Sequence, residues 1–141
     1  MNRSATNKRG ASMSLEEIRE LVATRLPPRY EHLQLTFYGR ESQLQGDHVL
    51  IGDDYGTKLY VRLDNGCICS IDPEEKLETH FMNSSIEQLA RFIEVSESFT
   101  GTTLDTQSLV REMRTALGAI DSQAFTESPS WWGEVLEGLG L

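Results

Sequence analysis

Two cysteines spaced two apart, Cys67 and Cys69, and three separated histidines, His32, His48 and His80, are the residues best suited to nucleophilic or metal chemistry. A thiolate and an imidazole in contact can act as nucleophile and base, and Cys67 or Cys69 with His80 is the pairing that sequence distance allows. The setting argues against it. The cysteines fall in mid-strand, whereas activated thiols sit at helix N-termini or in electropositive surroundings. Residues two apart in a strand share a face and rarely bridge each other. The spacing therefore predicts two buried, unbridged core cysteines. Two thiols without a second pair make no zinc site. Each histidine stands alone, as surface or strand-edge histidines do. Phosphate-cradling glycine loops and the G-x-S-x-G elbow are missing. Gly52-Asp53-Asp54-Tyr55-Gly56 lacks the ligand spacing of a calcium loop and reads as a turn. No catalytic residue, metal or cofactor is expected.

The carboxylates are more informative. The chain carries a net charge of −9, with 13 Lys+Arg against 22 Asp+Glu. Three of those cations, Arg3, Lys8 and Arg9, lie in the first thirteen residues, so residues 14–141 hold a net −12. Such a field disfavours direct contact with nucleic acid or an anionic membrane and favours a basic partner. It also serves plain solubility. Asp47, Asp53, Asp54, Asp64, Asp72, Glu74, Glu75 and Glu78 fall in or beside expected turns. If those turns share one edge, they form a negative rim with Tyr55 and Tyr60 beside it. Asp53, Asp54, Tyr55, Asp64, Glu74 and Glu75 are the candidate partner contacts, tyrosine being a favoured interface residue. A solvated sheet edge is the plainer alternative.

The elements that must position these residues are legible in the periodicity. Residues 1–13 read as a disordered leader and residues 14–141 as a single domain. Ser14-Leu15-Glu16-Glu17 is a capping box, and Leu15, Ile18, Leu21 and Val22 follow at helical spacing to about residue 25. Leu26-Pro27-Pro28 stops that helix. Leu33, Leu35 and Phe37 alternate as a strand, Val49-Leu50-Ile51 form a second, and Leu59, Val61 and Leu63 a third. Asp64-Asn65-Gly66 signals a hairpin, and Cys67 to Ile71 return as a fourth strand. From Phe81 the pattern turns helical. Ser84 and Glu87 suggest a capping box, Asp105 an N-cap, and Ser128-Pro129 the start of a C-terminal helix carrying Trp131 and Trp132. One of these tryptophans is expected in the core and the other partly exposed, since neighbours on a helix point about 100° apart. Runs of strands followed by runs of helices indicate an α+β fold, an antiparallel sheet of about four or more strands with N-terminal and C-terminal helices packed on it.

Three segments together carry a resemblance. They are Ile51-Gly52-Asp53-Asp54-Tyr55-Gly56, Tyr60-Val61-Arg62-Leu63-Asp64-Asn65-Gly66, and Phe81-Met82-Asn83-Ser84-Ser85-Ile86-Glu87-Gln88-Leu89. With the ending Asp121-Ser122-Gln123-Ala124-Phe125 and Trp131 to Leu136, they resemble the SUKH superfamily of immunity proteins, in particular its fourth group. The Asn-Ser-Ser-x-Glu helix start is the most specific part. The resemblance spans about residues 14–139 and implies a Smi/Knr-like fold. It also implies a cytoplasmic bacterial role, in which the protein binds a cognate polymorphic toxin, often a nuclease or nucleic-acid deaminase. It carries no catalytic or contact residues over. Two other readings stay open: a scaffold or self-associating domain using the tryptophan helix, with a monomer or weak homodimer expected, and a Cys–His hydrolase.

Overall fold

Ser14 opens the fold as its spacing predicts. In the computed structural model, which describes residues 12–72 and 79–140, Ser14 Oγ accepts from Glu17 N (3.1 Å) and Glu17 Oε1 accepts from Ser14 N (2.9 Å). The reciprocal bonds satisfy two of the orphan donors of a helix start. Helix α1 runs Leu15–Arg25 and buries Ile18 and Val22. Leu26, extended ahead of Pro27, ends it.

Seven strands follow among the described residues: β1 (Arg29–Tyr30), β2 (Leu35–Phe37), β3 (Gln43–Gln45), β4 (His48–Asp53), β5 (Lys58–Arg62), β6 (Ile68–Ile71) and β7 (Thr79–Asn83). They form one antiparallel sheet in the order β1-β2-β4-β5-β6-β7, with β3 also beside β4. The α+β architecture matches the sequence reading. The strand count differs because β1 and β3, two and three residues long, are too short for alternation to show. Leu33 belongs to a 3-10 turn rather than to the strand. The Asn65-Gly66 hairpin is present: Arg62 N donates to Cys67 O (2.9 Å), Gly66 N to Arg62 O (2.8 Å), and Gly66 has φ +76°. Gly52 is required on other grounds. A Cβ there would lie 2.2 Å from Thr36 O, so β2 and β4 close only over a residue without a side chain.

The segment after residue 79 corrects the sequence reading three times. Phe81 lies in β7, not in a helix, and α2 starts at Ile86 (Ile86–Ser98). Its cap is Ser85, whose Oγ accepts from Gln88 N (3.2 Å), not Ser84. Helix α3 (Thr106–Ile120) is capped by Asp105, which accepts from Ser108 N (2.8 Å). A short α4 (Gln123–Thr126) leads to α5 (Trp131–Gly140). There the capping hydroxyl is Ser130, accepting from Gly133 N (3.0 Å), rather than Ser128. Ser128–Pro129 is a cis peptide.

The helices cover one face of the sheet. Leu35, Val49, Ile51, Leu59, Val61, Ile68 and Met82 meet Ile18, Val22, Ile86, Leu89, Phe92, Leu117 and Leu136 in one core. Both tryptophans join it, Trp132 at 0% exposure and Trp131 at 7%, so the expected half-exposed tryptophan is corrected. Their rings meet edge-on at 4.9 Å, and Trp132 meets Phe92 at 5.0 Å.

Inside this core sits one buried acid. Asp121, just past α3, accepts from Ser84 N (2.8 Å), Ser84 Oγ (2.8 Å) and Asn83 Nδ2 (3.1 Å). Asn83 Oδ1 in turn accepts from Trp132 Nε1 (2.8 Å). The Asn83-Ser84 pair is therefore a structural joint. Asp121→Ala takes the carboxylate acceptor from Asn83 Nδ2 and Ser84 N, while Ser84 Oγ keeps Gln123 Oε1 (3.0 Å), and is expected to cost about 3–5 kcal/mol, whereas Asp121→Asn, which keeps one acceptor, is expected to cost about 1–3 kcal/mol. Urea unfolding checks the order: the midpoint falls further for alanine, with the slope unchanged.

Candidate functional site

The turn between β4 and β5 is built by its own acids. Asp54 Oδ1 accepts from Thr57 N (2.8 Å) and from the Thr57 hydroxyl. Asp53 Oδ1 accepts from Tyr55 N (3.2 Å). Each carboxylate also reaches out of the turn. Asp53 Oδ2 accepts from the Tyr38 hydroxyl (2.6 Å), and Asp54 Oδ2 accepts from Trp131 Nε1 (2.6 Å). Burial and the Asp53 carboxylate push the Tyr38 phenol up to about 12, which keeps it a donor. What the turn presents is Tyr55, 81% exposed and held at φ +91°. Asp53 and Asp54 lie half-buried beneath it. A tyrosine displayed on a braced turn over two carboxylates can offer a partner an apolar ring, a hydroxyl and a negative base. Charge-assisted bonds of this kind are among the stronger ones in proteins.

The other candidate contacts do not all gather here. Asp64 lies at the far end of β5, a strand of five residues and thus roughly 16 Å in length. It forms a two-pronged pair with Arg62, Nε to Oδ1 (3.0 Å) and Nη2 to Oδ2 (2.6 Å). That guanidinium holds the Asp64 carboxyl below its ordinary value. Asp47 shares this end, its carbonyl accepting from Leu63 N (3.1 Å) and its carboxylate contacting His48 Nδ1 (2.8 Å). The acidic turns thus split between two ends of the sheet instead of forming one rim. Glu74 and Glu75 lie outside the described residues, as does Glu78. The chain leaves β6 at Ile71, opposite Lys58, and so at the Tyr55 end.

The Cys–His pairing is excluded by the faces of the sheet. Ser70, buried among the core residues, pairs with His80, and His80 Nε2 contacts Glu134 Oε2 of α5 (3.0 Å). Cys69, the next residue along β6, therefore leaves the opposite face. There it sits across from Tyr60 on β5 and Phe81 on β7. Both cysteines are free and only half-buried, on the face away from the helices. The expectation of buried core cysteines is corrected: the hairpin register sets Ile68, not Cys67 or Cys69, opposite Val61 in the core.

Sequence reasoning missed Tyr38 and Trp131, the two side chains that brace the turn. They stand 15 and 77 residues from their carboxylate partners. No local pattern signals either bond. Among the described residues, no three His, Cys, Asp or Glu side chains converge as a metal site needs, and no helix is long and apolar enough to cross a membrane.

Compared with known proteins, the chain matches the family model described as SUKH-4 immunity protein over residues 17–138. No curated protein and no solved structure matches it.

The bracing and the display separate in mutants. Trp131→Phe removes a hydrogen bond to a carboxylate and is expected to cost about 1.5–3 kcal/mol. Tyr55→Gly removes only an exposed ring and relieves a positive φ, so it is expected to change stability little or to raise it by about 0.5–1 kcal/mol. Thermal unfolding of the two variants side by side checks both.

Proposed function

This chain belongs to the SUKH-4 immunity protein family, and from that premise we propose that it binds a cognate polymorphic toxin in the bacterial cytoplasm and neutralises it without catalysis of its own. The partner we propose is a basic protein that processes nucleic acid, a nuclease or a deaminase, and one copy of the chain suffices to block it. Charge supports this reading: an acidic surface meets a basic enzyme faster than diffusion alone allows and competes with the enzyme's own polyanionic substrate. The observation that carries the choice of face is the exposed Tyr55, fixed over Asp53 and Asp54. Exposed aromatic rings held rigidly are the usual anchors of tight interfaces. In this reading Asp53, Asp54 and Tyr55 make the contact, with Glu74 and Glu75 from the adjoining connection. Asp64, at the other end of the sheet, contributes to the long-range field.

Burial of Trp131 and Trp132 in the core argues against a self-associating tryptophan helix. The placement of Cys69 and His80 on opposite faces of the sheet argues against a Cys–His hydrolase.

The test takes the open reading frame next to this gene, expresses any toxic domain it encodes, and titrates that domain with the full chain in its own activity assay. Inhibition at one-to-one stoichiometry is expected. Tyr55→Ala is expected to weaken binding at least about tenfold, or ~1.4 kcal/mol, as truncation of an interface anchor does. The association rate is expected to fall steeply with added salt. A rate indifferent to salt rejects the steering, and full affinity in Tyr55→Ala rejects this turn as the contact.

A further inference from the structure

Most buried polar atoms in a folded protein find a hydrogen-bond partner. Among the described residues, two buried side-chain oxygens do not: Tyr30 Oη and Ser96 Oγ. The residues that carry them are 7% and 5% exposed. One belongs to β1 and the other to α2, yet both line the same cleft, about 330 Å³ in volume. The other walls are largely apolar, with Leu33, Phe99 and Met113 inside and Leu139 of α5, partly exposed, on the solvent side. Burial, and then the charge of Glu97, push the Tyr30 phenol up to about 12, so it remains a donor. Glu97 itself forms no hydrogen bond of acceptable length and angle with it. No lysine or arginine lines the cleft, and His32 meets the Tyr30 ring edge-on at 5.8 Å. A mostly apolar cavity of a few hundred Å³ with a small number of polar groups is the usual form of a small-molecule site.

We propose that this cleft binds a small neutral molecule with an apolar body and carbonyl or hydroxyl oxygen, which takes up the unpartnered hydroxyls of Tyr30 and Ser96. A phenol that donates needs an acceptor, and an ammonium group has none. An anion would meet the Glu97 carboxylate with no lysine or arginine to offset it, in a chain of net charge −9. A neutral oxygen supplies the missing bonds without bringing a charge out of water. The volume admits about ten non-hydrogen atoms, at the roughly 30 Å³ that one water takes in the liquid. Met113, an adaptable side chain, and Leu139 give way as the oxygen reaches the buried hydroxyls. The site is separate from the Tyr55 turn. Helix α5 braces that turn with Trp131, its first residue, and lines the cleft with Leu139, roughly 12 Å further along the helix.

The probes are acetophenone, cumene (a methyl group in place of the carbonyl oxygen) and benzoate, each titrated into the full chain and followed by amide NMR shifts. Acetophenone is expected to move the signals of Ser96, Gly101 and Thr102 saturably, and benzoate to leave them in place. The double variant Tyr30→Phe with Ser96→Ala removes only oxygens that lack partners, so it is expected to unfold at the same temperature or higher. Cumene, more apolar than acetophenone, sets the reference for the cleft's apolar walls. The affinity for acetophenone relative to cumene is expected to fall about two- to tenfold from wild type to the double variant, the net worth of one hydrogen bond. An unchanged ratio, benzoate bound as tightly as acetophenone, or no saturable shift with acetophenone would overturn the assignment.

Discussion

A carboxylate taken out of water must have its lone pairs met by donors, or it destabilises whatever surrounds it. Asp121 is that carboxylate here, and much of the helical layer is arranged to meet the requirement. The donors come from Asn83 and Ser84, at the junction between the last strand and α2. With its amide nitrogen committed to Asp121, Asn83 has its oxygen left for the indole of Trp132. Gln88, from the first turn of α2, reaches the carbonyl of Ile120 at the end of α3 (3.2 Å). One acid thereby joins the sheet edge, the start of α2, the end of α3 and the interior face of α5. A packed apolar core tolerates several side-chain arrangements of similar volume, whereas a buried polar joint of this kind admits few.

The same chemistry appears at the Tyr55 turn with a different outcome. Asp53 and Asp54 are engaged with Tyr38, Trp131 and the turn's own backbone and hydroxyl. Their bonds hold a shape, and the shape displays a ring. A partner would meet a surface already ordered, so little conformational entropy remains to be lost on docking. The two acids at the other end of the sheet, Asp47 and Asp64, are paired with His48 and Arg62.

Local signals in the sequence were read correctly where the physics is local. The Ser14 capping box, the Asn65-Gly66 hairpin, the Asp105 cap and the end of α1 before Pro27 each depend on residues within a few positions. The mistakes fall where a distant residue decides. Ser84 and Ser85 can each cap a helix; Asp121, 37 residues on, claims Ser84 and leaves Ser85 to α2. Alternation in Cys67-Ile68-Cys69-Ser70 shows which residues share a face but not which face is inside. The hairpin register settles that, and it puts Ile68 in the core and the thiols outside. β7 reads as the approach to a helix because Thr79 to Asn83 become a strand only by pairing with β6. Of the contact residues expected from composition, the Tyr55 turn keeps its acids together, while Asp64 is carried to the opposite end by the length of β5.

The bond from Trp131 to Asp54 spans 77 residues of chain, and that gives the turn a history in time. On a chain made from its N-terminus onward, the β4–β5 hairpin can pair as soon as Asp53 to Arg62 have emerged. Its outer brace, however, comes from the last helix. The displayed tyrosine is fully set only when α5 has been made and has docked. A nascent chain still lacking α5 would thus carry the acidic turn without the geometry that aims it, so the arrival of α5 decides when the surface is ready.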